Sequence, residues 1–245
     1  MILLVTLNFK KIMGATLYKW KELPFLLKKI LNFIYPDTCI FCRKIIGVSA
    51  YEKQDFTCNN CKKKLEYIRG QNDLKKSYNT YFDYLLYAFK YEGFVRTLLL
   101  DFKFYNKTYL HEFFASEILK IIQKFSQAKY DYVLYVPISI NRYFARGFNQ
   151  SYMIAKYISN HINIPILKYG LVKIKNNKIQ STLKIAQRKQ NVSGVYKVLF
   201  RKSLAGKKVL LVDDIFTTGS TVNECSRILK DAGVLEITVA TIARA

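Results

Sequence analysis

The sequence predicts an α/β protein, a mostly parallel sheet with helices on both faces, preceded by a small cysteine-rich domain. Three observations carry this expectation. From about residue 81 onward, runs of β-branched and aromatic residues alternate with segments of apolar i, i+3, i+4 spacing, the pattern of a sheet built by crossover connections. One run, Val209-Leu210-Leu211-Val212, ends in Asp213-Asp214 and a loop of Thr, Gly and Ser that leads into a helix. Ahead of all these elements stand two C-x-x-C pairs, Cys39/Cys42 and Cys58/Cys61, separated by the 15 residues 43–57.

The elements follow in order. Residues 1–36 are predicted as an N-terminal helical extension, with Leu23 to Ile34 apolar and lysine-rich at helical spacing up to Pro36. That helix suits packing or interaction. Residues 37–65 form the cysteine domain and 66–80, polar and basic, the linker. The large domain spans 81–245. Within it Tyr81–Tyr91 reads as a strand, 93–102 and 108–126 as helices, and Tyr130–Ser139 as a strand ending at Pro137. A helix over 150–162, strands near 166–174, 194–200 and 207–212, a helix over 220–231 and a strand over 235–243 complete it. Cys225 falls on the inner face of that last helix, with Val222, Ile228 and Leu229.

Charge bounds the partners. Forty Lys and Arg against 17 Asp and Glu give a net charge of +23, which favours phosphates, nucleic acid or anionic surfaces. The excess is spread, with 15 basic against 6 acidic side chains in residues 1–80 and 25 against 11 in 81–245. An abundance of Lys, Asn, Ile and Tyr also matches an A/T-rich coding genome, which accounts for part of it. Nowhere do 18 apolar residues run unbroken, and the opening apolar stretch is too short for a signal peptide. A cytoplasmic protein is expected.

The paired C-x-x-C knuckles present four thiolates to one tetrahedral ion, so Cys39, Cys42, Cys58 and Cys61 are predicted to hold a structural zinc. At the other site, ligands of open parallel sheets bind at the carboxyl ends of strands. Asp213 and Asp214 stand at such an end. Ile215 to Gly219 is read as a tight loop, with Ser220 or Thr221 capping the next helix. Backbone N–H groups at a helix N-terminus receive a phosphate. The carboxylates suit hydroxyl groups, directly or through a divalent cation such as Mg²⁺. A pentose 5-phosphate with free 2- and 3-hydroxyls needs both features side by side.

V-D-D-I-F-T-T-G-S-T resembles the 5-phosphoribosyl-1-pyrophosphate motif of the type I phosphoribosyltransferases. The resemblance implies that Asp213 and Asp214 face the ribose and that Thr217, Thr218, Gly219, Ser220 and Thr221 wrap the 5-phosphate. Val136-Pro137-Ile138-Ser139, Arg146-Gly147-Phe148-Asn149-Gln150, Gln180 followed by Arg188-Lys189-Gln190-Asn191, and the double C-x-x-C resemble the ComF family, named for competence for DNA uptake. The likeness runs over about residues 31–243. It implies a type I phosphoribosyltransferase-like fold behind a zinc ribbon, with Arg146 and Arg188 as pyrophosphate ligands. Lys173 and Asn177 stand where relatives often carry Arg and Thr.

Two functions follow. In the first the protein is a DNA-uptake factor that binds single-stranded DNA beside a DNA helicase of the competence machinery, with phosphoribosyl pyrophosphate as a ligand. Basic residues interleaved with aromatics in Arg142-Tyr143-Phe144-Ala145-Arg146-Gly147-Phe148 suit it, with Arg142, Arg146, Lys62 and Lys63 on phosphates and Phe148 on a base. In the second it is an active phosphoribosyltransferase with an unknown acceptor base. No general base is evident, since His111 and His161 lie in helical segments remote from the motif.

Overall fold

The computed structural model describes residues 33, 36, 38–46, 57–65, 80–105, 107–125, 129–175 and 194–245. The predicted helix over 23–34 apart from Phe33, the linker apart from Thr80, and the segment with Gln180 and Arg188 lie outside the described residues. The chain divides into two units, Met1–Lys64 and Leu65–Ala245. No helix among the described residues is long and apolar enough to cross a membrane.

In the first unit Thr38 and Ile45 bridge antiparallel around the first knuckle, and a one-turn helix, α1 (Asn59–Lys63), carries the second. Cys58 precedes α1 as its N-cap, its sulfur accepting from the Cys61 N–H.

The second unit begins with β1 (Tyr84–Lys90), shorter than the predicted strand because the Asp83 carboxylate accepts from the Ile237 amide and from Lys230, which fixes the entry to the sheet. α2 (Gly93–Phe104) buries Val95, Leu98, Leu99 and Phe102 on one stripe. α3 (Leu110–Phe125) follows, then β2 (Tyr132–Tyr135), which stops before Pro137 because proline has no N–H to continue a ladder. After the predicted strand end the chain forms a helix that the sequence reading missed, α4 (Ile140–Arg146), capped by the Ser139 hydroxyl. α5 (Gln150–Ile162) matches the prediction. β3 (Leu171–Lys173), β4 (Tyr196–Val198), the one-turn α6 (Arg201–Leu204), β5 (Lys208–Phe216), α7 (Ser220–Lys230) and β6 (Glu236–Arg244) complete the unit.

The main sheet has the order β1-β6-β5-β2, every pair parallel. Leu210, Val212 and Ala240 are buried, and so are their alternating neighbours Leu211 and Val239, so both faces of the central strands are covered. α3 packs against β1, β6 and α5, while α7 packs against β4 and β5. β3 and β4 do not extend this sheet as the prediction had them do. They pair with each other, antiparallel, as a separate ribbon. The apolar side chains of that ribbon explain the difference: Leu171, Tyr196 and Val198 close over Leu211, Val222 and Cys225 instead of joining the sheet edge. Ile166 alone bridges β2 at Val133.

Candidate functional site

β5 runs through both acidic residues to Phe216, past the predicted end at Val212, because β6 continues alongside it to Arg244. Asp213 is therefore a strand residue. It is buried, and its Oδ1 accepts from the Ser151 hydroxyl at 3.0 Å and from the Asp214 amide at 2.9 Å. Burial, reinforced by the adjoining Asp214 charge, pushes its carboxyl up to about 7. Asp214 is more open and pairs with Lys103 of α2 at 2.9 Å.

The turn after β5 is tight. Gly219 has φ +70°, and a Cβ there would stand 2.6 Å from the Phe216 ring, so this backbone admits only glycine without rearrangement. α7 starts at Ser220 with Gly219 as its cap, in place of the predicted Ser220 or Thr221, and this cap supplies no side-chain acceptor to the helix. The Thr218 and Ser220 hydroxyls lie 2.8 Å apart, and Thr217 is exposed. The loop thus gathers hydroxyls and the positive end of an 11-residue helix directly after two carboxylates. Thr221 faces the ribbon and hydrogen-bonds Tyr196.

The R-G-F-N-Q stretch is the hinge between α4 and α5. Arg146 ends α4, Gly147 turns the chain at φ +76°, and Asn149 caps α5 by accepting from the Tyr152 amide while donating to the Val136 carbonyl. Arg146 donates to Gln150 Oε1 at 3.4 Å, lies over the Phe104 ring and feels the charge of Asp214, which offsets the cost of its burial. Gln150 is buried, and its Nε2 has no partner among the described residues. The motif and the carboxylates are joined directly through Ser151. On the ribbon, the Lys173 ammonium sits 5.5 Å from the Tyr196 ring; burial, with Arg142 adding to it, holds this amine down at about 8.

Phe148 stacks on the buried Phe102, ring centroids 5.9 Å apart, so one of its faces is already covered. Arg142 is half-buried on α4. His111 bonds the Thr108 carbonyl and His161 stacks on Tyr157. Among the site residues, sequence reasoning missed Lys103 and Ser151. Ser151 follows N-Q directly, and Lys103 lies between Phe102 and Phe104 at the end of α2, which was the available signal.

In the first unit the Sγ atoms of Cys39, Cys42, Cys58 and Cys61 all lie within 4.8 Å of one another, and those of Cys42 and Cys58 are 3.6 Å apart. A tetrahedron of thiolates about 2.3 Å from a zinc ion has edges of about 3.8 Å, so the cluster fits such an ion. The Cys61 amide draws the Cys58 thiol down to about 7, and burial pushes the Cys61 thiol up to about 12. A cation would offset the cost of ionising that second sulfur. Lys62 and Lys63 are exposed on α1.

The family described as "Phosphoribosyl transferase domain" matches residues 149–245, which hold Ser151, both carboxylates and the hydroxyl loop. Competence protein F of Haemophilus influenzae is 29% identical over 232 residues, 88% of this chain and 100% of the relative. Competence protein ComFC of Bacillus subtilis is 26% identical over 207 residues, 84% of this chain and 75% of the relative. Over most of its length the chain is similar to these ComF competence proteins. Its phosphoribosyltransferase fold is a parallel sheet flanked by helices, and the four-cysteine cluster fits a zinc ribbon. Among solved structures, the glutamine phosphoribosylpyrophosphate amidotransferase of B. subtilis superposes with a TM-score of 0.40 and 21% identity, over 58% of this chain and 30% of the other.

Proposed function

We propose that this protein is a member of the ComF family, a cytoplasmic DNA-uptake factor that binds single-stranded DNA and, through its phosphoribosyltransferase-like domain, phosphoribosyl pyrophosphate. The observation that carries the ligand is the adjacency of Asp213 and Asp214 to the Thr218–Ser220 hydroxyl pair at the start of α7. Asp214 and, once ionised, Asp213 hold ribose hydroxyls or a Mg²⁺ ion with oxygen ligands. The α7 N-terminus with Thr217, Thr218, Gly219, Ser220 and Thr221 holds the 5-phosphate. Arg146 and the unpartnered Gln150 amide hold the pyrophosphate, with Arg188 as its second cation. The competence relatives and the net charge of +23 support the DNA role, with Arg142, Arg146, Lys62 and Lys63 as phosphate contacts, whereas Phe148, stacked on Phe102, is not free on both faces to receive a base. A helicase of the uptake machinery is the protein partner. The four cysteines hold zinc, whose place is structural, since four thiolates leave no position for water.

The carboxylates beside the hydroxyl loop also suit a second reading, an active phosphoribosyltransferase with an unknown acceptor base. Calorimetric titration with phosphoribosyl pyrophosphate and Mg²⁺, followed by an assay of pyrophosphate release over a panel of bases, decides between them. Saturable binding without release is the expected result. Release with one base would establish the enzyme, and no binding would remove the phosphoribosyl site from both readings.

A further inference from the structure

Five large apolar side chains stand exposed in two short segments of the second unit. They are Phe104 and Tyr105 at the end of α2, and Ile140, Tyr143 and Phe144 at the start and middle of α4. Phe144 is 80% exposed and Tyr105 71%, and α4 buries none of its seven residues. The Arg146 guanidinium, 5.0 Å over the Phe104 ring, brings the two segments together, and the Tyr143 and Phe144 rings meet edge to face at 6.4 Å. A contiguous exposed face of this kind marks an interaction site.

Its charge says what covers it. Segments 101–107 and 139–150 contain Lys103, Lys107, Arg142 and Arg146 against Asp101 alone. Asp101 is taken by Lys107, and Lys103 is held by Asp214, so Arg142 and Arg146 set the field around the rings. A partner that brings both flat unstacked bases and a phosphate backbone matches this combination of rings and guanidinium groups. An acidic peptide would satisfy the cations and leave the rings without stacking partners. Phe148 has one ring face covered by Phe102 and is not counted among the free platforms.

We propose that the end of α2 and the whole of α4 form the seat of single-stranded nucleic acid, with bases stacking on Phe104, Tyr105, Tyr143 and Phe144 and phosphates on Arg142 and Arg146. The proposal rests on the strand-binding reading above and replaces its diffuse basic surface with one face. Because Arg146 also feels Asp214, the strand would run to the edge of the carboxylate site.

The test is fluorescence anisotropy of the full-length protein with a labelled oligothymidylate of about 20 nucleotides, longer than the ~4–16 nucleotides a small binding fold covers, at several salt concentrations. The Tyr143→Ala/Phe144→Ala protein should bind roughly 5- to 150-fold more weakly for each stacked base it loses, with an unchanged salt slope and an unchanged melting temperature. Phe144→Trp should keep the affinity, and its fluorescence should be quenched by the oligonucleotide. If the double variant binds like the parent, the face is not the seat, although the strand-binding reading survives through other contacts. If the parent itself does not bind at low salt, that reading fails and the face with it. A double variant that changes the oligomeric state and leaves oligonucleotide affinity untouched would make α4 a protein interface and overturn the proposal.

Discussion

Asp213 and Asp214 are consecutive residues with opposite surroundings. Asp213 is buried between Ser151 and its own strand, and its carboxyl is pushed up to about 7, whereas Asp214 keeps a cation, Lys103, at 2.9 Å. The first difference makes stability depend on pH. The native carboxyl holds its proton up to about 7 and the unfolded one only to about 4, so the native state binds more protons in that window and stability falls as pH rises through it. Asp213→Asn keeps an acceptor for Ser151 and for the Asp214 amide but has no proton to lose. Urea melts at pH 5 and pH 8 should show the variant gaining stability relative to the parent at the higher pH, and equal differences at both values would contradict the assigned burial cost. The second difference concerns the cation. Lys103 occupies the carboxylate that Mg²⁺ would use, so Lys103→Met should lower the Mg²⁺ concentration that half-saturates phosphoribosyl pyrophosphate binding by about fivefold, the equivalent of ~1 kcal/mol for one ion pair. Titration calorimetry at a series of Mg²⁺ concentrations reads it.

At the scale of elements, the loop between β5 and α7 depends on one glycine. Gly219→Ala would have to fit a methyl 2.6 Å from the Phe216 ring at φ +70°, and Phe216 is itself packed edge-on against Phe82. A left-handed non-glycine residue costs of order 1–3 kcal/mol before the clash is relieved. At about 2–4 °C per kcal/mol for a domain of this size, the melting temperature should drop by several degrees. Phosphoribosyl pyrophosphate binding should weaken further, because the hydroxyl pair and the helix N-terminus move together. A variant that melts and binds like the parent would show that the ring gives way freely. By contrast, Gly147, also left-handed at φ +76°, has no atom within 4 Å of an added Cβ, so Gly147→Ala meets only the backbone term and should cost less.

The whole molecule consists of two units with different sources of stability. The second, Leu65–Ala245, has a large core running from Phe82 and Leu85 to Val239. Among the described residues of the first, Cys39 and Cys61 are the buried hydrophobic ones, so a zinc ion held by the four thiolates as proposed would contribute strongly to the folding of the cysteine segment. Atomic absorption should find one zinc per chain. Cys61→Ser should abolish it and unfold the first unit, while the cooperative melt of the second is retained. Calorimetry with and without a chelator separates the two transitions, and a variant that still binds one zinc at parental affinity would overturn the ligand set.

How much of this was legible beforehand depends on the range of the interactions. The alternation of strands and helices, the tight loop ending at Gly219 and the double C-x-x-C were all legible, because period, turn chemistry and ligand spacing are local properties of the chain. Asp213 and Asp214 could be placed at the carboxyl end of a strand for the same reason. The end of β5 could not be placed, since Phe216 stays in register only because Arg244 of β6 lies beside it. Nor could the β3–β4 ribbon, whose separate pairing is decided by what Leu171 and Tyr196 pack against. Ser151 lies 62 residues from Asp213 and Lys103 lies on another helix, so the hydrogen bond that holds one carboxylate and the cation that guards the other exist only once the sheet has brought α2 and α5 to its edge. The chemistry of the site was written in consecutive residues; its electrostatics came from distant ones, because charge and burial are properties of the folded neighbourhood.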